Sequence, residues 1–254
     1  MTAVPSRRTL HAMFPIRDHN PSEKTPYVTI ALIAANLAAW FWQLAVGDLS
    51  VYRGGFFPIL LSEGEQTWRL ISHMFLHGGW LHLGGNMLFL WIFGDNLEDE
   101  MGPLPFLGFY LLGGVAAALM QYAPDTMSRV PMVGASGAIA AVMGGYLLMF
   151  PKARVDVLII IVFIIRILPI PAFIMLGLWF ALQVVMGLGT DSSGGGVAYW
   201  AHAGGFIAGM VLTLPVFLRR GGPGYWTRTE GHPPHPEARY RLTQSSVPEV
   251  RRRR

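Results

Sequence analysis

Six long runs of apolar residues dominate this chain, and they leave few folds open to it. The runs are Tyr27–Val46, Leu81–Leu97, Leu104–Tyr122, Gly134–Phe150, Pro171–Leu188 and Val197–Leu218. As an α-helix, a run of about 20 residues is long enough to cross the ~30 Å hydrocarbon core of a bilayer. Only 13% of the residues are charged, whereas soluble domains average about 25%. The sequence therefore predicts an all-α, polytopic membrane protein with six spans.

The runs divide the chain into three regions. Residues 1–26 are polar and lack a continuous apolar stretch, so they predict a loosely ordered tail and no cleavable signal peptide. Residues 27–218 form the predicted membrane domain. Residues 219–254 are basic and polar, which indicates a disordered tail whose Arg251–Arg254 run either contacts anionic lipid or has no partner. Because the sequence has no cysteine, disulfides, thiol catalysis and thiolate metal sites are excluded.

Two further segments do not fit the pattern of spans. Residues 47–80 are too polar to span but rich in aromatic residues, which is typical of the membrane interface. Val155–Ile165 is strongly apolar but too short to span as a helix, and basic residues flank it on both sides. We expect this second segment to be interfacial or re-entrant; a seventh span is the alternative.

The distribution of basic residues predicts the orientation of the spans. If both termini are cytoplasmic, only Arg53, Arg69 and Arg129 of the 19 Lys and Arg residues lie outside. Basic residues concentrate on the cytoplasmic side of membrane proteins. The sequence therefore predicts that both termini are inside, so that spans two, four and six run inward from the outer face.

Four polar residues then fall at a similar depth near the outer face. His82 and Asn86 lie one turn apart on span two, Ser136 begins span four, and His202 lies near the start of span six. Polar side chains inside a span are costly and usually face the bundle interior, where they serve a function. The sequence therefore predicts one site built by three helices.

The chemistry of these four residues suits nucleophilic catalysis. His202 can accept the proton of the Ser136 hydroxyl and return it to a leaving amine. The main-chain N–H of Ser136, the ring of His82 and the amide of Asn86 can stabilise an oxyanion. No acidic residue is placed to orient His202, so the prediction is a dyad that needs no metal and no cofactor. The alternative is that Ser136 only caps the helix that follows it.

Small residues surround the serine and the histidine. Gly134 and Gly137 flank Ser136, and Ala201, Gly205 and Gly209 follow at intervals of four on span six. Such rows allow two helix backbones to approach closely in lipid. We expect spans four and six to touch here, although a packing motif without catalysis is the alternative.

Taken together, these motifs resemble the rhomboid family of intramembrane serine proteases over Tyr27–Leu218. The matching elements are Trp68-Arg69, His77-x4-His82-x3-Asn86, Gly94, Glu98, Gly134-Ala135-Ser136-Gly137 and Ala201-His202-x2-Gly205-x3-Gly209. The resemblance implies a six-helix core with a water-filled active site, Ser136 as nucleophile, His202 as base, and His82 and Asn86 at the oxyanion. It implies an endopeptidase that cleaves transmembrane protein substrates in the lipid bilayer, with no nucleic-acid partner. We expect a multi-pass protein of the bacterial inner membrane.

The resemblance also implies roles for the connecting segments. Residues 47–80 correspond to a partly embedded first loop, and span five with Trp179 and Phe180 to a lateral gate, capped by the loop Gly189–Gly196. Some family members stack an aromatic residue, four positions after the serine, on the catalytic histidine. Here that position is Ala140, which leaves open what holds the His202 ring.

The sequence is also compatible with three other hypotheses. His73, His77 and His82 have a spacing that metal ligands can use, although no carboxylate or cysteine joins them. A rhomboid-like pseudoprotease would bind membrane proteins without cleaving them. A proton-coupled transporter could use His82 and His202, but their common depth provides no path to the other face.

Overall fold

The computed structural model describes residues 11–20, 22–161, 164–190, 196–234 and 236. In chain order the elements are β1 (His11–Asp18), α1 (Tyr27–Val46), α2 (Leu49–Gly54), α3 (Pro58–Ser62), α4 (Arg69–Ser72), a 3₁₀ turn (His73–Phe75), α5 (Trp80–Met101), α6 (Pro103–Tyr122), α7 (Ser136–Met149), β2 (Arg154–Ile161), β3 (Ile164–Pro171), α8 (Ala172–Gly189), α9 (Tyr199–Arg219) and α10 (Pro223–Thr229). The molecule is mostly helical, and six helices occupy the six predicted runs to within about one turn.

Four of these helices are long and apolar enough to cross a membrane, namely α1, α6, α8 and α9. The other two differ for visible reasons. Helix α5 has 22 residues but carries His82, Asn86, Asp95 and Asn96 along its length, and α7 has only 14 residues.

Helix α7 forms the centre of the bundle. Eleven of its 14 residues are buried, and α5, α6, α8 and α9 all pack against it. A helix that is apolar on every side has to be enclosed by other elements. Its position explains how so short a helix is stable inside a bundle of longer ones.

The packing of α7 against α9 is backbone to backbone. A Cβ added at Gly205 would collide with the carbonyl oxygen of Gly137, and one added at Gly209 with that of Ala141. Gly144 on α7 meets the main chain of Phe206 on α9 in the same way. Glycine at these positions therefore sets the distance between the two helices.

The all-α prediction is wrong at one end of the bundle, where three strands form an antiparallel sheet in the order β1-β2-β3. Strands β2 and β3 form a hairpin that pairs Arg154 with Pro171 and Ile161 with Ile164. The described residues of the segment Val155–Ile165 are thus strand and not helix, and such β-branched residues favour strands. Strand β1 pairs with β2 and comes from the region predicted to be a loosely ordered tail.

Side chains join this sheet to the helical bundle. Arg17 and His19 both contact the carboxylate of Asp156, at 2.6 Å and 2.7 Å. Asp18 accepts hydrogen bonds from Asn96 on α5 at 2.7 Å and from Tyr146 on α7 at 3.4 Å. The N-terminal segment is therefore fixed to the helices as well as to the sheet.

The region after α9 is also more ordered than predicted. Helix α10 places Tyr225 in a buried position, and the indole of Trp226 donates to the carbonyl of Leu148 at 2.9 Å. Residues 1–10 and 237–254, including the Arg251–Arg254 run, lie outside the described residues.

Replacing Gly209 by alanine tests the packing of α7 against α9. The added methyl group would overlap the main chain of Ala141, and such overpacking costs about 1–3 kcal/mol. We expect a lower melting temperature in detergent for Gly209→Ala. Gly177→Ala is the matched control, because nothing lies within 4 Å of a Cβ added there. Equal melting temperatures for the two variants would contradict the packing argument.

Replacing Asp18 by asparagine tests the contact between the N-terminal strand and the bundle. Burial, with the neighbouring Asp95 carboxylate, raises the pKa of Asp18 from 3.8 to about 8. Since the folded state favours the protonated form, this group loses stabilising free energy as the pH rises towards about 8. We expect Asp18→Asn, which cannot ionise, to melt higher than the wild type above that pH and to lose this advantage in acid. The exposed Asp48→Asn serves as control, and a pH-independent difference would count against the assignment.

Candidate active site

The starts of α5, α7 and α9 meet at the end of the bundle away from the sheet and border a cavity of about 600 Å³. All four polar residues singled out from the sequence line this cavity, namely His82, Asn86, Ser136 and His202. Their common location follows from the parallel direction of the three helices.

Ser136 and His202 are hydrogen-bonded to each other across two helices. The Oγ atom of Ser136 lies 2.7 Å from Nε2 of His202. Ser136 is the first residue of α7, and the preceding Ala135 occupies the N-cap position without a side-chain cap. The serine hydroxyl is thus directed at the histidine rather than used to cap the helix.

His82 stands on the other side of the serine. Its Nδ1 accepts a hydrogen bond from the main-chain N–H of Gly78 at 3.2 Å, so in the neutral ring Nε2 carries the proton. A Cβ added at Gly134 would lie 2.8 Å from Nε2 of His82 and 3.6 Å from Oγ of Ser136. Gly134 has a φ of +128°, a conformation that only glycine adopts readily. It therefore allows the His82 donor to approach the serine.

Asn86 supplies a second side-chain donor to the cavity. Asn86 is 7% exposed, and its Nδ2 has no hydrogen-bond partner among the described residues. The first N–H groups of α7 also lack partners within the helix. The His82 ring, the Asn86 amide and the start of α7 therefore border the same cavity as the Ser136 hydroxyl.

Small residues allow the helices that carry Ser136 and His202 to pack closely. A Cβ added at Gly137 would lie 2.6 Å from Cβ of Ala117 on α6 and 4.0 Å from Cβ of Ala201 on α9. The N–H of Ala201 donates to Oε1 of Gln121 at 3.2 Å. With Gly205 and Gly209 below them, these residues define how closely α9 approaches α7.

Two residues of α8 contact His202, and the sequence analysis did not assign them this role. Nδ1 of His202 lies 2.8 Å from Oε1 of Gln183. The Trp179 ring lies against the His202 ring, with a centroid distance of 5.8 Å and an interplanar angle of 34°. Gln183 and Trp179 therefore hold the His202 ring, although Ala140 provides no aromatic ring for it to stack on. A signal for Gln183 was available, because it is a polar residue within an apolar run.

Polar contacts order the segment before α5. The guanidinium of Arg69 donates to the carbonyl of Gly55 at 2.7 Å and to Oε1 of Gln66 at 2.5 Å. Gln43 of α1 pairs with both the N–H and the carbonyl of His77. Trp68 beside them is 53% exposed, which suits an interfacial side chain.

Glu98, which also belongs to the matching motifs, lies outside this site. Glu98 accepts from the N–H groups of Val28 and Thr29, so it caps the start of α1 far from the cavity. Within the described residues, no three histidines or carboxylates are grouped so that they could hold a metal ion. Most of the predicted cap, residues 191–195, lies outside the described residues.

Comparison with known proteins identifies the family. The Rhomboid domain matches residues 64–219, and the chain belongs to the rhomboid family. It is 34% identical to RHOMBOID-like protein 5 of Arabidopsis thaliana over 168 residues, 63% of this chain and 47% of that protein. For the mitochondrial Rhomboid protein 1 of Saccharomyces cerevisiae the identity is 30% over 191 residues, 71% of this chain and 51% of that protein. For Rhomboid protease GlpG of Yersinia pestis it is 29% over 117 residues, 46% of this chain and 41% of that protein.

The comparisons also bear on the expected source. This chain spans about half the length of the relatives it matches, or less. Those relatives come from a plant, a yeast and a bacterium. The family is therefore confirmed, whereas the bacterial assignment is not borne out.

Proposed function

We propose that this protein is an intramembrane serine endopeptidase that cleaves transmembrane segments of other proteins with a Ser136–His202 dyad. The observation that carries the proposal is the 2.7 Å hydrogen bond between Oγ of Ser136 and Nε2 of His202. A nucleophile within hydrogen-bond reach of a base that a third group orients is the arrangement that nucleophilic catalysis requires. The match to the rhomboid family and the similarity to a protein named as a protease support the same reaction.

The first half of the reaction is acylation. Oγ of Ser136 attacks the scissile carbonyl carbon while its proton moves to Nε2 of His202. The developing oxyanion accepts hydrogen bonds from the Ser136 N–H, from Nε2–H of His82 and from Nδ2 of Asn86. The His202 imidazolium then protonates the leaving amine, the C–N bond breaks, and the acyl group remains on Ser136.

The second half is hydrolysis of the acyl-enzyme. His202 takes a proton from a water molecule, which attacks the ester carbonyl, and the same donors bind the oxyanion again. Collapse of this intermediate returns the proton to Ser136 and releases the new carboxyl terminus. The cavity beside the dyad, whose mixed lining includes polar residues such as Asn86, Gln121 and Ser128, offers room for that water.

The proposed setting is a lipid bilayer crossed by six helices with both termini on the cytoplasmic side. Helices α1, α6, α8 and α9 have the length and composition for this, and α5 and α7 lie between them in the bundle. The distribution of Lys and Arg then puts the dyad near the outer face, where we expect the ends of transmembrane substrates to enter. A bacterial inner membrane remains a prediction from the sequence.

Removing the nucleophile or the base tests the proposal. We expect Ser136→Ala and His202→Ala to abolish cleavage of a transmembrane reporter substrate in detergent, because no other described group can replace either role. A fluorophosphonate probe should label the wild type and not Ser136→Ala. Unchanged melting temperatures would exclude misfolding as the cause. Equal cleavage by wild type and Ser136→Ala would refute the assignment, and folded but inactive wild type would favour the pseudoprotease.

Removing one oxyanion donor should have a graded effect. Loss of a single donor costs about 10²–10³ in kcat in a soluble enzyme. Since three donors converge here, we expect Asn86→Ala to lower kcat by less than that and to leave KM nearly unchanged. The control is Asn36→Ala, which removes a buried amide from α1 away from the cavity. Equal losses of kcat in the two variants would point to a general effect of deleting a buried amide.

A further inference from the structure

Gln183 occupies the buried face of a helix that is otherwise apolar. The buried residues of α8 are Ala172, Leu176, Gln183 and Gly187. An amide in such a place is costly unless both of its ends are hydrogen-bonded. The contacts of Gln183 therefore indicate what it does.

Both ends of the Gln183 amide have partners, and together these fix its orientation. Nε2 donates to the main-chain carbonyl of Trp179 at 3.3 Å, and Oε1 lies 2.8 Å from Nδ1 of His202. Rotating the amide by half a turn would put Oε1 against the Trp179 carbonyl, which is also an acceptor. Only the observed orientation satisfies both ends.

This orientation determines which nitrogen of His202 carries the proton. Because Oε1 can only accept, Nδ1 has to be the donor, and in the neutral ring Nε2 is then unprotonated. Nε2 is the atom that faces Oγ of Ser136 at 2.7 Å. The opposite tautomer would direct an N–H at the serine and could not accept its proton.

We propose that Gln183 is a positioning residue for the dyad, which holds His202 in the tautomer with Nε2 free to take the Ser136 proton. The inference rests on the proposed proteolytic function and extends it to a third helix. In soluble serine proteases a carboxylate orients the histidine in this way. Here a neutral amide oxygen does so, which avoids placing a charge inside the bundle.

Two substitutions separate this role from simple packing. Gln183→Met keeps the unbranched shape of the side chain and removes the amide oxygen. Gln183→Glu keeps an acceptor at the same position and can add a negative charge. Leu182→Met on the exposed side of α8 is the control for a change in that helix.

We expect Gln183→Met to lower kcat about 10-fold or more with little change in KM, because the base is no longer held in its working tautomer. The rate of labelling by a fluorophosphonate should fall in parallel. We expect Gln183→Glu to recover most of the lost rate. It should also move the acid limb of the kcat–pH profile to higher pH, since a carboxylate stabilises the imidazolium.

The kcat–pH profiles of the variants have to be compared with one another because more than one group affects His202. The groups in contact with His202 are Ser136 on α7 and Trp179 and Gln183 on α8, and His82 on α5 acts on it electrostatically. Because His82 is the same in every variant, a shift of the kcat–pH profile between variants reports the change at residue 183.

The outcomes distinguish this inference from the proposed function. An inactive wild type, or activity that survives Ser136→Ala, would overturn the protease assignment whatever Gln183 does. If the wild type is active and Gln183→Met matches it in kcat and pH profile, the positioning role is wrong. It is also wrong if Gln183→Met and Gln183→Glu are equally slow with an unshifted profile, because only packing would then be involved.

Discussion

The close approach of α7 and α9 is the constraint on which the rest of the structure depends. The carbonyl oxygens of Gly137 and Ala141 fill the space that side chains at Gly205 and Gly209 would need. Ser136 and His202 are short, rigid side chains, so their 2.7 Å hydrogen bond cannot survive a wider separation of the helices. Lipid provides no hydrophobic force between helices, and close packing itself has to hold them together. The glycines are therefore as necessary for the contact between Ser136 and His202 as the two side chains themselves.

Several polar side chains inside this bundle connect one element to another. Gln183 connects α8 to His202 on α9, Gln43 connects α1 to the main chain of His77, and Arg69 holds the carbonyl of Gly55. Each contact satisfies a buried group that would otherwise cost free energy, and each also fixes two segments relative to one another. At the cavity, the amide donor of Asn86 is among the buried polar atoms that have no partner within the described residues. Satisfied polar groups of this kind help to fix the helices around the cavity.

Much of the fold could be predicted because a membrane-spanning helix is marked by a continuous apolar run in the sequence, which is a local signal. The length and composition of each apolar run located six helices, including all of Tyr27–Val46. The prediction failed where the pairing is distant in sequence, because β1 (His11–Asp18) forms its ladder with β2 (Arg154–Ile161). Nothing in the sequence of either strand indicates that the other is its pairing partner. The polar, Pro-containing character of the N-terminal region also concealed a strand whose partner is far along the chain.

The sequence by itself determined where the helices lie and which residues could form a Ser–His pair, since these depend on hydropathy and on which side chains carry reactive groups. The direction of the helices across a membrane stays a prediction from the basic flanks. The tertiary structure alone decided how those residues meet. Whether Ser136 capped a helix or bonded to His202 depended on how α7 and α9 are rotated and how closely they pack. The partner of Nδ1 and the ring beside His202 come from α8, through Gln183 and Trp179. Such contacts depend on ångström distances and ring orientations between separate helices, and local patterns in a sequence do not encode these.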